Sequence, residues 1–119
     1  AGGTDRTTRQ KNPLKTDLPY GYIRMGKPVL MDFFAEWCGP CHQQSPIIDE
    51  LRKRMGDRVE IRKIDVGVDS EETRRYAMKY DLQFVPTLVI EKDGQIVRKL
   101  VGVQDLATLE SILKPLVEK

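Results

Sequence analysis

The chain has 119 residues, 39% of them hydrophobic and 32% charged, with 20 basic and 18 acidic residues for a net charge of +2. That is the composition of one soluble globular domain; a disordered chain would be poorer in apolar residues, and no apolar run here approaches the roughly 18 residues that span a bilayer. Acidic and basic residues are interleaved, as in RRYAMKYD and RKRMGDRVE, so they read as a solvated surface and not as the one-sided basic footprint of a nucleic-acid binder.

Residues 1–16 contain no aromatic side chain and one large apolar residue, Leu14, so residues 1–19 are expected to form a flexible tail ahead of a domain over residues 20–119. After Pro28 the run VLMDFFA predicts a strand buried on both faces, although Asp32 sits in its middle. The hexapeptide WCGPCH follows at residues 37–42 and holds the only two cysteines and the only histidine. Behind it, Ile47, Ile48, Leu51 and Met55 recur at helical spacing until Gly56-Asp57 ends the helix.

VEIRKIDV reads as the next strand. Ser70, followed by Glu71 and Glu72, is an N-cap with acids in the first turn of a helix that runs to about Tyr80. LQFVPTLVIE is an apolar stretch broken by Pro86, and Asp93-Gly94 is a hairpin turn leading into QIVRKLV. Asp105 caps a last helix that carries Leu106, Leu109, Ile112, Leu113 and Leu116 on one stripe. The order β-α-β-α-β-β-α predicts an α/β fold with a central mixed sheet flanked by helices, ending in an antiparallel hairpin and a C-terminal helix. The hexapeptide then falls at the C-terminal end of the first buried strand, where reactive sites collect in such sheets.

Three chemistries share the pattern of WCGPCH: a redox dithiol, a c-type haem attachment, and most of a zinc site. A haem needs a ring-sized cavity, which a motif wedged between a buried strand and a packed helix does not offer. A structural zinc needs a fourth ligand, and His42 points about 100° away from the Cys41 thiol around a helix. A bridge between residues this close would close too short a loop to stabilise the fold much.

The redox reading suits every neighbour. Pro40 can occupy the first helical turn without losing a hydrogen bond, and Gly39 permits a tight turn before it. Cys38 then sits at the start of the helix, facing unpaired backbone N–H groups and the positive end of the helix dipole. That position stabilises a thiolate by about 0.3–1 kcal/mol and lowers the thiol from its usual pKa of about 8.5. Cys41, one turn in, is expected to be more buried and less acidic. Cys38 would attack a substrate disulfide, and Cys41 would resolve the mixed disulfide.

MDFFAEWCGPCHQQSPIIDEL resembles the active-site strand and helix of the thioredoxin family, and FVPTLVIEKDG with Val101-Gly102 extends the resemblance over roughly residues 28–116. The resemblance implies a monomeric thiol–disulfide oxidoreductase that reduces protein disulfides, its only redox group the Cys38–Cys41 disulfide, with no cofactor and no metal. It implies Cys38 as nucleophile and Cys41 as resolving thiol. Asp32 matches the buried carboxylate that accepts a proton from the second thiol; burial would raise its pKa, which suits that task. Lys63 matches the lysine paired with that acid, with Arg62 competing for the inward position. Trp37, Gly39, Pro40, Val85 and Pro86 match the substrate-binding surface. Pro46 matches the proline that bends the active-site helix, and the Val85–Pro86 bond is expected to be cis.

The implied partners are disulfide-bearing proteins and a thioredoxin reductase, in the cytoplasm. A periplasmic or tail-tethered protein fed by a membrane thiol donor, and a non-enzymatic binding module, are the alternatives. The chain departs from the family pattern at Phe84, where a small residue is usual, and at His42, where lysine or arginine is commoner. LPYGYIRMGK (residues 18–27) does not match the family's opening strand.

Overall fold

The computed structural model describes residues 26–117. The expected tail lies outside the described residues, and so does LPYGYIRMGK apart from Gly26 and Lys27. Strand β1 (Val29–Phe34) leads into helix α1 (Gly39–Met55), a single 3-10 turn (Gly56–Arg58), β2 (Glu60–Asp65), α2 (Glu71–Tyr80), β3 (Thr87–Lys92), β4 (Gln95–Val101) and α3 (Leu106–Val117). The sheet order is β2-β1-β3-β4, with β1 parallel to β2 and the other two pairings antiparallel. This is the mixed sheet and element order that the sequence predicts.

β1 is an inner strand, and its side chains alternate between two apolar layers. Leu30 joins Leu88 and Ile90 beneath α1 and α3, against Ile48, Leu51, Met55, Leu109 and Leu113. Met31 and Phe33 join Val89 on the opposite face, against Tyr76 and Tyr80 of α2. Full burial of each large side chain contributes about 1.5–3 kcal/mol, so the two layers clamp the strand from both sides. The same alternation places Asp32 on the α1 face, two residues beyond Leu30.

Local signals set the boundaries. Ser70 Oγ accepts from Thr73 N at 3.1 Å and starts α2. Asp105 Oδ1 accepts from Thr108 N at 2.8 Å ahead of α3. Asp93 and Gly94 both hold positive φ, 55° and 80°, as the tight turn between β3 and β4 requires. Gly102 N donates to the Pro86 carbonyl at 2.8 Å, which ties the end of β4 to the loop before β3.

Candidate active site

The first turn of α1 is built as the sequence predicts. Cys38 is the N-cap residue in extended conformation, Gly39 and Pro40 open the helix, and no acidic side chain lies in the first turn to offset the dipole. Cys41 N donates to Cys38 Sγ at 3.1 Å. The two sulfurs form a disulfide with Cα atoms 5.3 Å apart. Across the site, the Val85 carbonyl oxygen lies 3.6 Å from Cys38 Sγ, and the Val85–Pro86 bond is cis. One expectation fails: Cys38 and Cys41 are 5% and 4% exposed, so burial does not separate them. The turn of helix between them is too short to carry Cys41 further inside. Their difference lies in their surroundings, because Cys38 has the helix cap and Cys41 has the pocket beneath.

That pocket, about 220 Å³, is lined by Asp32, Phe34, Glu36, Cys41, His42, Ser45 and Lys63. Asp32 is only 2% exposed, and its Oδ1 has no hydrogen-bond partner among the described residues. Burial raises its pKa from 3.8 to about 6; Lys63 opposes the rise and Asp49 adds to it. Strand register settles the competition between Arg62 and Lys63. Asp32 is the Cα partner of Lys63, which puts Lys63 on the α1 face. Arg62 points the other way and binds Glu60 at 2.7 Å. The expected direct pairing of Lys63 with Asp32 is not present, however. Lys63 Nζ donates to Asp49 Oδ1 at 2.7 Å and to Ser45 Oγ at 2.8 Å. These two α1 acceptors are accessible, and taking the ammonium there avoids the cost of burying it beside Asp32.

Trp37 is 76% exposed and Phe84 is 66% exposed. Both line an apolar groove of about 390 Å³ with Ala35, Val66, Ala77, Leu82 and Val85. The groove opens beside the disulfide, since Ala35 and Val85 also pack against the two cysteines. His42 Nε2 donates to the Glu36 carbonyl at 2.8 Å. Pro46 lies inside α1, where it cannot donate to the His42 carbonyl. Among the described residues no group of three or more His, Cys, Asp and Glu side chains could hold a metal ion.

The sequence reading missed three contributors. Ser45 and Asp49 share a helix face at i, i+4 spacing, which is a visible signal, but their contact with Lys63 depends on β2 lying alongside β1. Gln44 is fully buried, accepting from Gln104 N at 2.7 Å and donating to the Gln104 carbonyl at 3.0 Å. Its signal was a polar residue on the same stripe as Ile48, Leu51 and Met55.

A dithiol at a helix cap, open to an apolar groove on one side and backed by a buried carboxyl on the other, defines a thiol–disulfide oxidoreductase. A family model described as Thioredoxin matches residues 21–115. The chain is 41% identical over 85 residues to a thioredoxin of Bacillus subtilis (strain 168), covering 71% of this chain and 78% of that one. It is 40% identical over 83 residues to a thioredoxin of Mycolicibacterium smegmatis, covering 70% and 72%. An X-ray structure of Fasciola hepatica thioredoxin superposes with a TM-score of 0.65 at 34% identity, covering 76% of this chain and 82% of that one. The chain belongs to the thioredoxin family. It is a thiol–disulfide oxidoreductase acting on protein disulfides through its redox-active cysteine pair.

Proposed function

We propose that Cys38 is the attacking sulfur, Cys41 the resolving sulfur and Asp32 the proton acceptor, in a protein that works as a reductant of protein disulfides. The contact that carries this reading is the Cys41 N–H donated to Cys38 Sγ at the cap of α1. In the reduced protein the same N–H and the helix dipole stabilise a thiolate on Cys38. The thiolate attacks one sulfur of the substrate disulfide; a new S–S bond forms, the old one breaks, and one substrate thiolate leaves. Cys41 then loses its proton to Asp32, by way of solvent in the pocket between them, and attacks Cys38 Sγ. The second substrate thiolate leaves, and two electrons have passed to the substrate. A carboxyl raised to about 6 is a better match for a thiol near 8.5 than one left at 3.8, by 1.36 kcal/mol for each unit of the narrowed gap.

Trp37, Gly39, Pro40, Val85 and Pro86 would hold the substrate. An extended substrate segment can pair with the Val85 backbone as an added strand, its apolar side chains resting in the groove at Trp37. The cycle needs no cofactor beyond the disulfide. A thioredoxin reductase would restore the dithiol in the cytoplasm, as the family membership suggests. No described helix is long and apolar enough to cross a membrane.

Trapping tests the assignment. Reduced Cys41→Ser protein, mixed with a disulfide-bonded substrate, should accumulate a stable mixed disulfide through Cys38. A Cys38→Ser protein should trap little. If Cys38→Ser traps the substrate instead, the roles are reversed and the reading fails.

A further inference from the structure

Asp32 and Lys63 are neighbours in register on parallel strands and line the same pocket. Even so, Asp32 Oδ1 is buried without a donor. The ammonium that could serve it is held on α1 by Asp49 at 2.7 Å and Ser45 at 2.8 Å. Those contacts use two of its three N–H groups and orient it toward the helix. We propose that Asp49, assisted by Ser45, is a positioning residue that keeps Lys63 off Asp32 and so leaves the buried carboxyl free to take the proton of Cys41. The proposal rests on the role assigned to Asp32 above.

The other groups facing Asp32 do not supply this control. From α1 these are Cys41, His42 and Ser45, and from the preceding loop Glu36. His42 is engaged with the Glu36 carbonyl. From β3 the neighbour is the apolar Leu88. Among the described residues Lys63 is therefore the one lysine or arginine lining the pocket, and Asp49 decides where it points. Asp49 also stays ionised while Asp32 titrates, because the Lys63 hydrogen bond and then the nearby cations hold it below the usual carboxylate range. Its negative charge and its grip on Lys63 act in the same direction. Both favour the protonated form of Asp32.

The test follows the Asp32 carboxyl by carbon NMR against pH in the oxidised protein, a readout independent of catalysis. Asp49→Asn should lower the Asp32 midpoint by about one pH unit, the lower end of the effect of a cation brought within 4–6 Å. Glu50→Gln, on the same helix but paired with Arg54, should leave it in place. In a Lys63→Gln background, Asp49→Asn should move the midpoint by less than half as much, because no ammonium is left to release. A midpoint unmoved by Asp49→Asn overturns the proposal. So does a shift of equal size with and without Lys63, which would mean that Asp49 acts through its own charge alone. Asp32→Asn kinetics judge the underlying role separately. If that variant resolves the mixed disulfide at the normal rate at neutral pH, Asp32 is not the acceptor, whatever the NMR titration gives.

Discussion

The buried carboxyl should cost the protein stability, in a pH window that can be worked out from its surroundings. Asp32 is 2% exposed, lacks a donor at Oδ1, and titrates at about 6 in the folded protein against 3.8 for an ordinary aspartate. Between those two values the folded state holds a proton that the unfolded state has lost. Unfolding free energy therefore falls as pH rises through this window and levels off above it. A separation of about 2 units at 1.36 kcal/mol per unit corresponds to about 3 kcal/mol. Asp32→Asn keeps the shape and cannot ionise. It should raise the unfolding free energy by about 3 kcal/mol at pH 8, and the gain should shrink toward zero near pH 4. Urea unfolding of both oxidised proteins, followed by the fluorescence of the single tryptophan, gives the difference at each pH. The other carboxylates are common to both proteins and cancel. A variant less stable than the parent at pH 8, or a gain equal at pH 4 and pH 8, would refute the reasoning.

Three further substitutions probe the frame around the site. Gln44→Leu keeps the volume but removes both bonds to the Gln104 backbone, so chemical denaturation should show a loss of about 2 kcal/mol from the unpaired groups; an unchanged midpoint would mean those bonds contribute nothing. A methyl group at Gly67 would lie 2.9 Å from Ala35 Cβ and 3.2 Å from Trp37 Nε1. Gly67→Ala should therefore shift the tryptophan emission and cost about 1–3 kcal/mol of stability, and an emission spectrum identical to the parent's would contradict the contact. Tyr80 is buried and its hydroxyl donates to Glu91 Oε2 at 2.6 Å. Burial first, then that bond, pushes its pKa well above 10. A spectrophotometric titration should find one tyrosine that resists ionisation well past pH 10 and is missing in Tyr80→Phe; uniform ionisation of all tyrosines near 10 would exclude it.

The limits of the sequence reading follow from how far apart the interacting residues lie. Hydrophobic period and capping are local, and they were enough to place every strand and helix from β1 to α3, the N-caps at Ser70 and Asp105, and the cap position of Cys38. Asp32 was legible for the same reason, since an acid inside VLMDFFA violates its own local pattern. What a single sequence could not supply was register. In RKIDV, Arg62 and Lys63 are equivalent until β2 is laid beside β1; the pairing of Asp32 with Lys63 then sends one side chain to each face. Even register was not sufficient, because the nearest strand neighbour did not become the bonded partner. The ammonium on the α1 face had a choice between a buried carboxyl and the acceptors Ser45 and Asp49. Burying both partners of an ion pair carries a desolvation cost of several kcal/mol, whereas a partly exposed pair avoids most of it. That difference explains why a lysine can stand beside the buried carboxyl without pairing with it. The low exposure of Asp32 thus raises its proton affinity, while Asp49 and Ser45 hold the neighbouring cation on the helix.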